Sequence, residues 1–142
     1  GGGGLTLVSH QELAVTLLHD ATTTSGTVLT TTFNATSTSD YYYLIANFNV
    51  QSGDTNSSQS KFRLIDVTNS NTELAIAKIY LDLTPASGVP YCTSTLMLHH
   101  RFQPASVNAT YTVKLTVTRL TGRVITYGVD EDGGTSVTLF KE

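Results

Sequence analysis

Apolar and polar residues alternate strictly over long stretches of this chain. In its last third, Tyr111, Val113, Leu115 and Val117 interleave with Thr112, Lys114, Thr116 and Thr118. A period of two sends successive side chains to opposite faces of an extended backbone, so this segment predicts a half-buried strand. Residues 110–120, 123–129 and 135–141 predict three such strands, with turns at Thr121 and Gly122 and at the DEDGG stretch. Earlier, TVLTTTFN (27–34) is strongly β-branched, and YYYLIANFNVQS (41–52) is the most hydrophobic run, with both faces partly apolar, as in an inner strand. KFRLIDVT (61–68) and ELAIAKIYLDL (73–83) flank the turn NSN, which predicts a hairpin. In its second arm Ala75, Ala77, Ile79, Leu81 and Leu83 share one face, and Leu74, Ile76, Lys78, Tyr80 and Asp82 the other. Residues 91–103 predict a long strand with Cys92, Ser94, Leu96, Leu98, His100 and Phe102 on one side.

Two N-terminal segments complete the set. Residues 5–8 predict a short strand. ELAVTLLHD (12–20) alternates Leu13, Val15 and Leu17 and predicts another strand, with a short helix as the competing reading. Polar or Pro/Gly-rich turns fall at 34–40, 53–60, 84–90 and 104–108. The sum is nine or ten strands at regular spacing, and no helix-period stripe rivals them. The expected fold is an all-β, single-domain antiparallel β-sandwich of jelly-roll type. Residues 1–18 read as an N-terminal arm or first strand, and 19–142 as the sandwich. The GGGG start is a flexible segment: a processed terminus, a truncation or the end of a glycine-rich arm.

Composition narrows the function. A chain of 142 residues can bury a core without disulfide or metal support. Charged residues make up 13%, about half the usual ~25%, and about 25 threonines fill the gap. Threonine suits strands and keeps a sheet face wet without charge. Such a surface fits a protein that packs beside copies of itself, or one on a virion or outside the cell. Net charge is −3, and Lys and Arg are scattered singly along the sequence, so no nucleic-acid partner is expected. No apolar run reaches the ~18 residues of a membrane span, so no membrane insertion is expected. The single cysteine, Cys92, excludes an intrachain disulfide and reads as a buried structural thiol.

Few groupings carry chemistry. In DEDGG, Asp130, Glu131 and Asp132 offer oxygen ligands ahead of two glycines, a candidate calcium loop. An acidic hairpin turn is the simpler reading, and no cofactor is expected. His99 and His100 are adjacent, so a strand points them to opposite faces. His10 and His19 lie near Glu12 and Asp20 without an evident nucleophile. No catalytic site is expected. Sequons occur at Asn34, Asn56 and Asn108, all in predicted turns, as candidate glycosylation sites. Among Tyr41, Tyr42 and Tyr43, core packing accommodates one or two rings and leaves the rest for an interface.

The segments TVLTTTFNATSTSDYYYLIANFNV, KFRLIDVTNSNTELAIAKIYLDL, ATYTVKLTVTRLTGRVITYGV and TSVTLFKE follow an order that resembles the jelly roll of the tumour necrosis factor and complement-head superfamily. The versions found in tailed-phage virion proteins are the most similar. The resemblance covers residues from about 27 to 142. It implies a homotrimer packed around a threefold axis, with Tyr41, Tyr43 and Phe140 at the core or axis. It further implies a virion-surface subunit (head decoration, head fibre or tail-fibre tip), with outer loops contacting other virion proteins or a host-surface glycan or receptor. The alternative is an extracellular filament or pilus subunit, in which the N-terminal segment with Leu5 and Leu7 completes a neighbour's sheet. A carbohydrate-binding module is a third reading, against which the absence of Trp counts.

Overall fold

The computed structural model describes residues 4–52, 57–81, 93–131 and 134–142. The sequon Asn56, the thiol Cys92, and Asp132 of the acidic turn lie outside them.

Ten strands run in chain order: β1 (Thr6–Glu12), β2 (Leu17–His19), β3 (Ser25–Ala35), β4 (Tyr42–Gln51), β5 (Ser58–Asp66), β6 (Thr72–Leu81), β7 (Thr93–Phe102), β8 (Asn108–Thr121), β9 (Val124–Thr126) and β10 (Ser136–Lys141). They form two antiparallel sheets packed as a sandwich. In the six-stranded sheet, β4 is central. One of its edges pairs first with β10 and then with β9, and the other pairs along its whole length with β7. β1 lies outside β10, and β2 outside β9. The four-stranded sheet has the order β3-β8-β5-β6. The pairings nest: β1 with β10, β3 with β8, β4 with β7, β5 with β6. Such nesting is a long hairpin wound on itself, the jelly-roll arrangement.

The alternation seen in the sequence is the alternation of burial. Tyr42, Leu44, Ala46, Phe48 and Val50 of β4 face Tyr111, Val113, Leu115 and Val117 of β8 across a core that also takes Phe62, Leu64, Val137 and Leu139. Phe33, Tyr42 and Tyr111 pack as tilted rings at one end, with ring centroids 4.6 and 5.2 Å from Phe33. Phe48 and Phe62 stack at 4.4 Å further along.

Several element boundaries differ from the sequence reading. The strand expected over 12–20 is broken. Leu13 turns into the core, Val15 is exposed, and only Leu17–His19 returns to a sheet. Residues 13–16 are held instead by the far end of the chain: Leu13 N–H donates to Thr135 O (2.9 Å), and Val129 N–H to Leu13 O (2.8 Å). The strand expected over 123–129 stops at Thr126 and gives way to a 3-10 turn, Val129–Glu131. Asn34 lies inside β3 rather than in a turn, at an exposed position, because pairing with β8 runs on to Ala35.

Candidate interaction surface

The outward face of the six-stranded sheet collects most of the residues singled out from the sequence. Register places Leu7, Phe140, Tyr43 and Arg101 in one row across β1, β10, β4 and β7. The next row is His10, Thr138, Ile45 and His99. The one after is Glu12, Ser136, Asn47 and Met97. Leu7 and Met97 are 59% and 58% exposed, Leu5 is half exposed, and Tyr43, Ile45 and Phe140 are partly exposed. The His99 ring stacks on Tyr43 with centroids 6.2 Å apart. The Arg101 guanidinium lies 3.6 Å over the Tyr41 ring and forks onto Glu142, with Nε 2.5 Å and a terminal nitrogen 3.3 Å from the two carboxylate oxygens. Both contacts hold long side chains flat against the sheet.

Tyr41, Tyr43, Phe140, Leu5 and Leu7 thus gather at one end of one face. Tyr42 is the tyrosine that enters the core, because Leu44, Ala46 and Phe48 share its phase. The sequence reading missed Ile45, Met97 and Arg101. Met97 and Arg101 are recruited through β7, whose neighbour could not be read from local pattern. One signal was present: Met97, His99 and Arg101 alternate with the inward Leu96, Leu98 and Phe102.

The polar end of the same face is different. Asn49, Thr93, Thr95, Tyr127 and Glu131 line an open concavity of about 350 Å³. Thr95 Oγ1 donates to Asn49 Oδ1 at 2.6 Å, which fixes the amide orientation. The lining offers hydroxyls, an amide and a carboxylate.

Other sequence candidates take structural places. Asp130 Oδ1 accepts from Thr16 N–H (2.9 Å) and Thr16 Oγ1 (2.8 Å), and so pins the 13–16 corner. Among the described residues, no three His, Cys, Asp or Glu side chains converge as metal ligands. His100 points inward and His99 outward, as adjacency predicts. His10 Nδ1 lies 2.8 Å from Thr138 Oγ1, and its Nε2 lies 3.3 Å from Glu12. His19 is buried, and burial holds its imidazole below the ordinary 6.5. Asn108 opens β8, with Oδ1 accepting from Thr110 N–H at 2.8 Å.

No family model matches the chain, and no curated protein matches it in sequence. Solved structures of similar shape exist at low identity. A structure of infectious bursal virus-derived T=1 particles is 10% identical, with 94% of this chain and 31% of that one aligned at a TM-score of 0.49. The EclA C-terminal domain, a sugar-binding protein, is 10% identical over 80% of this chain and 74% of that one, with a TM-score of 0.43. A CBM4 structure is 9% identical over 75% of this chain, with a TM-score of 0.42, and the match spans 58% of its length.

Proposed function

We propose that this chain is a non-enzymatic structural subunit of a virion surface (a head decoration, head fibre or tail-fibre tip) that assembles as a homotrimer through the outward face of its six-stranded sheet. One observation carries the reading. The Leu7–Phe140–Tyr43 row, with Ile45 and Met97 beside it, leaves apolar side chains in water on a sheet whose own core lies on the other side. The neighbouring rows of the same face carry His10, Glu12, Thr138 and Asn47. Contiguous exposed apolar area marks interfaces, and each such side chain contributes about 1.5–3 kcal/mol when fully covered. Arg101 and His99, laid over the tyrosines, supply the enriched interface chemistry of aromatic and guanidinium groups. The threefold symmetry is what the resemblance of the segment order implies.

Light scattering of the purified protein is expected to give three times the monomer mass. Phe140→Glu is expected to return it to a monomer with its melting transition retained, since the ring faces outward. A wild-type monomer across the accessible concentration range would overturn the reading.

A second observation favours an exchanged first strand. β1 is an edge strand with every position but Ser9 exposed, and its inward link is the hydroxyl contact between Ser9 and Thr31. The backbone ladder to β10 is what holds it. A neighbour's β1 would make the same ladder, which is the strand donation expected of a filament subunit.

A further inference from the structure

Lys and Arg, scattered singly along the sequence, converge in space on the opposite sheet. Lys61, Arg63, Lys78 and Lys114, four of the chain's eight, occupy outward positions of the four-stranded sheet, where Glu73 is the carboxylate they meet. Lys61 is directly opposite Lys78 across β5 and β6. Arg63 is the next outward position on β5, opposite Thr116 of β8. Lys114 is the next outward position on β8, opposite Ile65. With strands about 4.8 Å apart and about 3.4 Å per residue, the four make an oblique line roughly 16 Å long over three strands.

Among the described residues, one of the four pairs with a carboxylate. Arg63 Nε lies 3.0 Å from Glu73 Oε1, and its terminal nitrogen lies 3.1 Å from Thr118 Oγ1. Among the described residues, no carboxylate pairs with Lys61, Lys78 or Lys114. Two like charges directly opposite on a ladder destabilise it, so the Lys61–Lys78 pair is a local cost that folding does not explain. The chain as a whole carries −3, so the positive face arises by segregation. Beside the line stand the hydroxyls of Thr30, Thr112, Thr116 and Thr118.

We propose that this face binds an acidic polysaccharide, bearing carboxylate or sulfate groups, laid obliquely across β6, β5 and β8. The ammonium groups pair with its anions, and the threonine hydroxyls exchange hydrogen bonds with its ring hydroxyls. Single-stranded nucleic acid is the other extended polyanion. It calls for aromatic platforms along the track, and the outward aromatic ring here, Tyr80, stands on the edge strand away from Arg63 and Lys114. The site is on the sheet opposite the apolar row and stands or falls independently of the trimer.

The test uses the full chain against immobilised heparin, polygalacturonate, dextran and oligo-dT, at about 50 and about 300 mM salt. Expected are binding to heparin or polygalacturonate, none to dextran, weaker binding to oligo-dT, and a severalfold loss at the higher salt. The double variant K61E/K78E is expected to weaken binding at least about tenfold, while K61R/K78R retains it. Lys141→Glu, a single charge reversal on the other sheet, is expected to stay within about twofold of wild type. Melting curves confirm that each variant is folded. Binding unaltered by K61E/K78E, binding to dextran, or tighter binding to oligo-dT than to either acidic polysaccharide would overturn the proposal.

Discussion

Tyr111 shows what a single inward position can carry. Its ring is fully buried beside Phe33. Its hydroxyl donates to Asp66 Oδ2 at 2.7 Å and accepts from Ala105 N–H at 3.0 Å. Asp66, also buried, takes the Asn69 N–H on its other oxygen, so one carboxylate orders the β5–β6 turn and anchors β8. Burial pushes the Tyr111 phenol up to about 12, which keeps it a donor at any physiological pH. Tyr111→Phe leaves a buried carboxylate oxygen and a backbone N–H without partners. It is expected to cost about 2 kcal/mol in urea unfolding, more than removal of an average exposed hydroxyl. His19 provides a second measurable consequence. Its Nδ1 is buried with no hydrogen-bond partner among the described residues, and desolvation lowers its pKa below 6.5. The unfolded chain therefore binds the proton more readily than the fold does. Stability from this group is complete above pH 6.5 and falls as pH drops from there toward the folded pKa, with a slope of up to about 1.4 kcal/mol per pH unit. Thermal melts from pH 7.5 downward should show that slope (about one pH unit below neutrality and beyond), and His19→Leu should flatten it. Neither role was visible in the sequence, which marked Tyr111 only as inward and His19 only as a histidine beside an acid.

At the scale of elements, the corner at 13–16 is the main departure from local pattern. Alternating Leu13, Val15 and Leu17 predicts one continuous strand, yet the backbone leaves the ladder there. The reason is a contact with residues remote in sequence. Gly128 N–H donates to Thr16 Oγ1 at 3.0 Å, and Asp130 receives the Thr16 N–H and hydroxyl. Gly128 is packed so closely that a Cβ there would sit 2.8 Å from Leu13 O and Val15 C, both backbone atoms. Gly128→Ala must push the two segments apart. It is expected to cost about 2 kcal/mol, read as a lower urea midpoint at unchanged slope. By contrast Gly122 was legible as a turn residue, and it adopts φ 70° between β8 and β9, where a side chain is strained. Local turn chemistry can be read from two residues, but a clasp between residues 16 and 130 cannot.

For the whole molecule, the nested pairing puts the first strand against the last. β10 lies between β1 and β4, so removing residues 1–12 would strip one edge of β10 while leaving the core, since β1 contributes no buried residue. The truncated protein is expected to stay folded by circular dichroism but to self-associate through the bared strand. A synthetic peptide of residues 5–12 should restore the original mass by light scattering. Failure of the peptide to bind would argue against strand exchange. What the sequence determined alone is the class of object. Strict period-two alternation, β-branched threonine and evenly spaced turns leave an antiparallel sandwich as the arrangement that buries one face of every strand. It also set Lys78 and Lys114 on the faces opposite Ile79 and Leu115, but it offered Tyr43 and Phe140 for the core or axis, and the structure puts both outside the core phase of their strands. Which of those outward residues meet was decided only by tertiary structure. Strand order and register join positions as far apart in the chain as Thr6 and Lys141, and sequence spacing carries no information about distance across a sheet. The apolar row on one face and the lysine line on the other are therefore properties of the jelly roll's pairing, written in residues whose own neighbours give no sign of it.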